Sequence, residues 1–237
     1  MSTIKAYTKG MSDSYVYIPP LDKGLDIIHQ DADIIILSKP AGLLSVRGRN
    51  PTPENKLGDA LDARVQREFA EARIVHRLDM DTSGLMVMAL NADSHRHLSI
   101  QFEKRKVEKA YIALVWGHVE CNSGRVDLPV RCDWERRPRQ IVDHEQGKAA
   151  QTDWQVLERG QTNGIDTTRV VLHPITGRTH QLRVHMAEIN HPILGDDFYA
   201  HEQGFKAAER LCLHAQDLAF YHPKTNVFTH YHCACPF

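Results

Sequence analysis

The chain has 237 residues, 42% of them hydrophobic and 25% charged, which is enough apolar content for a sizeable core in one large domain or two small ones. Its formal net charge of -1, from 29 Lys plus Arg against 30 Asp plus Glu, excludes a global field that draws in polyanions, so any RNA contact must use local basic patches. Cys121, Cys132, Cys212, Cys233 and Cys235 form an odd, unevenly spaced set that argues against a disulfide framework, and no apolar run is long enough to be a leader or to cross a bilayer; the expectation is a cytoplasmic protein without membrane attachment.

Residues 1–24, which mix Ser, Lys, Tyr and Gly around Pro19-Pro20, read as a loosely held N-terminal extension, and residues 25–237 as one domain. Segments 25–29 and 34–38, separated by Gln30-Asp31-Ala32-Asp33, predict a hairpin leading into a turn at Lys39-Pro40. Leu57, Leu61, Val65 and Phe69 recur every fourth residue with charges between them, the pattern of an amphipathic helix. The apolar run 85–90 predicts a buried strand, and 93–105 a second helix. Segment 111–116 predicts a strand with Tyr111, Ala113 and Val115 on one face and Tyr111 at its entrance. Segment 169–173 predicts another strand, followed by a turn and a helix that Thr179 caps and that buries Leu182, Met186 and Ile189. Segments 211–221 and 227–233 predict a closing pair of strands. Strands therefore outnumber helices, and the fold class expected is α/β in the α+β sense, a mixed, mainly antiparallel central sheet with packed helices.

The stretch HRLDMDTSGL at 76–85 places Asp79 between a cation and a turn, just ahead of the buried run. Acidic residues avoid strand entrances unless they cap, pair or react, so Asp79 is a candidate nucleophile that needs a cationic partner. The wording of this stretch resembles the catalytic motif of the RluA-type pseudouridine synthases. Further segments agree in the family's order: KPAGLLSV at 39–46, KAYIA at 109–113, GRTHQLRVH at 177–185, HPILGD at 191–196 and LCLHA at 211–215. Together they span roughly residues 25–222.

The resemblance implies the pseudouridine synthase fold and an isomerase that breaks the bond from ribose C1′ to uracil N1, turns the base and rejoins C1′ to C5, with no cofactor and no metal. Such chemistry needs an ionised carboxylate beside the sugar, either to attack C1′ or to take the C2′ proton. Asp79 matches the family's carboxylate. Arg183 matches its arginine, expected in contact with Asp79 to keep it ionised, since a guanidinium lowers a carboxylate pKa by roughly 1 to 3 units. Tyr111 matches its tyrosine, which lies against the uracil and is placed to help remove the C5 proton. Only 38 residues precede Lys39, without a core-forming pattern, so the chain resembles compact members that lack a separate N-terminal RNA-binding domain.

Segments 132–140 and 147–152 resemble the dual-substrate type, which implies a uridine in a tRNA anticodon stem-loop and one in 23S rRNA as partners, acted on by a monomer with no obligatory protein partner. Arg77, two residues before Asp79, is a candidate to fill the gap left by a flipped base. Arg47, Arg49, Arg131, Arg136, Arg137 and Arg139, with Lys104, Arg105 and Lys106, are the candidate RNA-facing cations, the first group beside Trp134.

Other chemistries fit less well. The tail HYHCAC at 230–235 has His and Cys on alternate residues, which a strand sends to opposite faces, so a zinc site is not expected. His180 and His185 lack the HExxH spacing, Thr82-Ser83-Gly84 lacks the first glycine of a nucleophile elbow, and no glycine-rich phosphate loop is present. A hydrolase using Asp79 with Asp81 is the enzymatic alternative. A non-catalytic RNA-folding factor is the alternative of another class.

Overall fold

The computed structural model describes residues 16–237, and the unbroken apolar runs form the middle of its sheet. β1 (Ile27–Gln30) pairs antiparallel with β2 (Ile34–Lys39), and the Asp31 carboxylate closes the turn by accepting from the N–H groups of Asp33 and Ile34. β4 (Ser83–Ala89) is buried at every position because helices cover both faces. Ile35, Leu37, Met86 and Met88 meet α1 (Leu61–Gln66) on one face, while Ile34, Ile36, Leu85 and Val87 meet Leu98 of α2 (Ala92–Glu103) on the other. Side chains on a strand alternate, so one pair of strands serves two cores.

The remaining strands are β3 (Arg73–Ile74), β5 (Glu108–Trp116), β6 (Ser123–Asp127), β9 (Gln151–Thr162), β10 (Ile165–Pro174), β11 (Leu213–Tyr221) and β12 (Phe228–His232), with β7 (Val130–Cys132) and β8 (Gln140–Val142) as a separate ribbon. The large sheet runs β1-β2-β4-β11-β5-β10-β9-β6, with β12 beside β11 and β3 beside β4. The expected mixed, mainly antiparallel architecture is observed, and among the described residues the one parallel pairing joins β4 to β11 through Ser83–His214 and Gly84–Ala215. Gly84 has φ +109, and a Cβ there would stand 2.2 Å from the Ala215 carbonyl oxygen, so only glycine allows these strands to meet. Beyond this point they part, β11 continuing with β12 and β4 with β3.

A third cluster packs Ala113, Val115, Val170 and Leu172 against Leu182 and Met186 of α3 (Gln181–Glu188), with α4 (Glu202–Lys206) close behind in sequence. Tyr111 touches both this cluster and the α1 cluster. It stands fourth in β5, not at the strand's entrance, because β5 begins at Glu108 opposite Ala219 of β11.

Three expected boundaries change. The helix of the 57–69 repeat is only α1, since the backbone of Leu57 is engaged with Gly48 and Asn55, outside the helical ladder. Thr179 does not cap α3: His180 holds that position with φ 52, and the Gln181 side chain accepts from the Arg178 N–H and the Thr176 hydroxyl instead. Nor is α3 one-sided, for Gln181 through Met186 are all buried. Of the expected extension, residues 1–15 lie outside the described residues. The rest is tied down, with Tyr17 2% exposed, its hydroxyl accepting from the Leu44 N–H and donating to the Asp59 carbonyl. No helix among the described residues is long and apolar enough to cross a membrane.

Candidate active site

Asp79 lies in a segment without regular structure whose backbone is fixed from both sides. Ser45 donates to the Leu78 carbonyl at 2.6 Å and accepts from the Leu78 N–H at 3.1 Å. Lys39, fully buried, donates to the carbonyls of Pro40, Leu43 and Met80 at 2.7 to 2.9 Å, and the Gly42 N–H reaches the same Met80 carbonyl. The Thr82 N–H closes a turn on the Asp79 carbonyl at 3.2 Å. Residues 39–46 thus act as a clamp on the neighbours of Asp79, while its own side chain stays half-buried and makes no ion pair within 4 Å among the described residues.

His76, at the head of the same stretch, accepts from the Val87 N–H at 3.1 Å and stacks on Phe102 at 4.6 Å. Burial, with Lys109 nearby, pushes its pKa down to about 3, so it serves as a neutral acceptor that ties this stretch to β4.

The charge of Asp79 is felt by Tyr111, His180, Arg183 and Tyr199, the groups gathered around it from β5, α3 and the loop after α3. Burial first, and the Asp79 charge second, raise the Tyr111 pKa, so the phenol stays protonated through neutral pH. Burial also lowers the pKa of His180, whose Nδ1 lies 2.8 Å from the Tyr199 hydroxyl; as a neutral ring it accepts, and Tyr199 in turn accepts from the Gln140 N–H.

Arg183 is 2% exposed, and its geometry departs from expectation. The direct contact with Asp79 is not made. Arg183 forks instead onto Asp196, with both bonds at 2.7 Å, and reaches Asp197 at 3.0 Å. The rings of Phe198 and Tyr199 lie 5.2 and 5.3 Å from its guanidinium carbon. Burial opposes its charge, but the bonds to Asp196 and the charges of Asp196, Asp79 and Asp197 together raise its pKa. The Asp79 charge thus reaches Arg183 through space, with no bond between them. Sequence pattern alone assigns no role to His180, Asp196, Phe198 or Tyr199; the signal for His180 and Asp196 is their place inside GRTHQLRVH at 177–185 and HPILGD at 191–196.

Asp81 is 8% exposed, and its charge acts on Tyr17 and Arg210, a different set from the neighbours of Asp79, so the two carboxylates do not address one centre. Ser83 meets His214 Nδ1 at 2.8 Å but is 4% exposed and also accepts from Arg210 at 2.6 Å, which makes it a structural link between β4 and β11. Among the described residues no group of three or more His, Cys, Asp or Glu could hold a metal ion.

The candidate RNA-facing cations fall into separate places. Arg139 alone is joined to the centre, donating to the Phe198 carbonyl with its guanidinium 5.5 Å from the Tyr199 ring. On the same β7–β8 loop Arg136 pairs with Asp133, and Arg137 covers the exposed Trp134 ring at 4.3 Å. Arg131 is held by Asp143, and Arg47 by Asp62 and Gln66. Arg49 and Arg77 are exposed and bind nothing else among the described residues. Lys104, Arg105 and Lys106 lie apart, at the C-terminal end of α2.

The RNA pseudouridylate synthase family matches residues 33–188. The chain is 49% identical over 222 residues to the dual-specificity RNA pseudouridine synthase RluA of Vibrio vulnificus (strain CMCP6), covering 93% of this chain and 87% of that protein. It is 50% identical over 207 residues to the protein of the same name from Escherichia coli (strain K12), covering 87% and 91%. Among solved structures, human RNA pseudouridylate synthase domain containing 1 superimposes with a TM-score of 0.78 at 30% identity, over 93% of this chain and 87% of that one.

Proposed function

This chain belongs to the RNA pseudouridylate synthase family, and on that premise we propose that it isomerises one uridine in a tRNA anticodon stem-loop and one in 23S rRNA, with Asp79 as the working carboxylate. It is an RNA pseudouridine synthase and an isomerase. The observation that carries the reading of Asp79 is the contrast at its position: a backbone clamped at Leu78 and Met80, and a half-buried carboxylate left without a partner of its own among the described residues. A carboxylate so held is available to attack C1′ or to take the C2′ proton. Arg183, held by Asp196 and Asp197, stands near Asp79 without occupying the oxygen that must react, which suits a nucleophile better than a contact ion pair.

Tyr111 lies against the flipped uracil in this reading. Base stacking on an aromatic ring is worth roughly 1 to 3 kcal/mol, of the order needed to extrude a nucleotide. Because its phenol stays protonated, accepting the C5 proton requires passing its own proton on, and Asp79, whose charge the phenol feels, is the acceptor at hand. Tyr111→Phe is expected to bind RNA normally and to turn over slowly; turnover at the wild-type rate in single-turnover measurements would remove the proton-transfer role.

Arg77, Arg47, Arg49, Arg136, Arg137 and Arg139 form the RNA-facing set, with Arg77 filling the place of the flipped base. The protein works as a cytoplasmic monomer without an obligatory protein partner, metal or cofactor. The dual specificity rests on the identity of 49–50% to dual-specificity synthases and on the resemblance of residues 132–140 and 147–152 to that type. Mapping pseudouridine in total RNA from a strain lacking the gene tests it. The expected result is loss at one tRNA position and one 23S position, both restored by the gene; loss in one RNA class alone would reduce the substrate to that class.

A further inference from the structure

We propose that the surface where the C-terminal end of α2 meets the far end of β11 is a second RNA-binding site, taking phosphate backbone and one unpaired base of the substrate away from Asp79. The proposal rests on the synthase reading for the identity of its ligand. Gln101, 4% exposed, builds the place: its amide donates to the Tyr221 carbonyl at 2.7 Å and accepts from the Tyr221 N–H at 2.9 Å. This pair of hydrogen bonds from helix to strand sets the end of α2, where Lys104, Arg105 and Lys106 are exposed in succession, against the end of β11, and brings Lys106 beside an exposed aromatic pair. The rings of Tyr221 and Phe228 lie 5.0 Å apart at 60°, 41% and 44% exposed, and with Lys106 and Glu108 they line a recess of about 350 Å³. Exposed aromatic rings beside a run of exposed cations are the chemistry that grips single-stranded nucleic acid.

The cations are uncommitted. Several other exposed arginines are held by carboxylates, Arg67 by Asp22 and Arg125 by Asp153 among them. Lys104, Arg105 and Lys106 have no carboxylate within 4 Å among the described residues, and neither does Lys224 in the turn after β11. Glu103 and Glu108 are the acidic residues that flank the three cations in sequence.

Helix-end electrostatics explain some positive charge here, since cations favour a helix C-terminus by about 0.3–1 kcal/mol. They do not explain Arg105. The helix ends in a Schellman turn, with the Lys106 N–H on the Gln101 carbonyl and the Arg105 N–H on the Phe102 carbonyl, and Arg105 takes the left-handed position at φ 55. Glycine fits that position without strain, so arginine there costs stability and supplies only a charge.

The site stands apart from the reacting centre. Ala215 pairs with Tyr111, and six residues of β11 separate Ala215 from Tyr221, about 20 Å of strand. Comparing an excised stem-loop with a full-length RNA therefore separates contacts made around Asp79 from contacts made at this surface.

The test compares a full-length tRNA transcript with the anticodon stem-loop excised from it, using the triple variant Lys104→Gln, Arg105→Gly, Lys106→Gln and, separately, Tyr221→Ala. Both variants are expected to turn over the stem-loop at the wild-type rate and to bind full-length tRNA about 10-fold more weakly, and the triple variant should lose about 2–3 from the slope of log affinity on log salt. Arg105→Gly alone should lower affinity without lowering Tm. Unchanged affinity and salt slope for full-length tRNA would overturn the proposal and leave the face to another partner, such as an acidic protein. Equal losses on both RNAs would overturn it as well, by assigning the effect to the fold. Wild-type turnover on the stem-loop reports the synthase reading itself, so failure there is distinct from failure of this surface.

Discussion

Asp79→Asn is expected to bind RNA as tightly as the wild type and to form pseudouridine at least about 10⁴-fold more slowly. The substitution is nearly isosteric, and the bonds that hold this segment use other atoms: the Leu78 and Met80 carbonyls, the Leu78 N–H and the Asp79 backbone carbonyl. No side-chain hydrogen bond or ion pair of Asp79 exists among the described residues to be lost, so stability should stay within about 0.5 kcal/mol of wild type. Only the charge goes. An amide neither attacks C1′ nor accepts a C2′ proton, so either route stops at its first step. Pseudouridine formed per enzyme in a single turnover, read beside the binding constant, separates the two effects. Appreciable product from the purified variant would transfer the role to another group, and release of free uracil by the wild type would make the reaction hydrolytic.

The sequence was most legible where one physical pattern ruled a segment. The apolar runs that became β2 and β4, the hairpin turn at Asp31 and the β11–β12 pair all emerged where alternation or continuous burial dominates local choice. β9 did not emerge, because its second half, Leu157 to Thr162, is polar and largely exposed on both sides and is held by backbone pairing with β10 rather than by a buried face. Thr179 looked like the cap for α3, yet no side chain caps it; the Gln181 side chain instead ties the preceding turn to the helix, accepting from the Arg178 N–H and from Thr176, a contact that no local pattern announces. At the site, the motifs pointed to Asp79, Tyr111 and Arg183, which the fold gathers. What they could not supply was the partner of Arg183. A buried guanidinium binds whichever carboxylate the tertiary fold brings forward, and the loop after α3 brings Asp196.

Asp196→Ala should be the most destabilising single change at the site, by about 3–5 kcal/mol, which for a chain of this size lowers Tm by roughly 10 °C. Asp196 is fully buried and Arg183 is 2% exposed, so removing the carboxylate strands a charged fork away from water. The same carboxylate accepts from the N–H groups of Phe198 and Tyr199 at 2.9 and 3.0 Å, and those residues carry the rings beside Arg183 and the hydroxyl that meets His180. The milder Asp196→Asn separates holding the fold from aiming the cation. Its amide oxygen can still accept from those backbone groups, but it gives Arg183 one acceptor in place of a charged pair, leaving the guanidinium to lean on Asp197 and on Asp79. If Arg183 acts on Asp79 as a fixed cation, a swing toward Asp79 occupies the oxygen meant for the sugar. Asp196→Asn should therefore fold, keep KM near wild type and lose about 10-fold or more in kcat, since only the reacting step feels the displacement. Wild-type kcat in a folded Asp196→Asn protein would reduce Arg183 and Asp196 to a structural ion pair with no part in the reacting step.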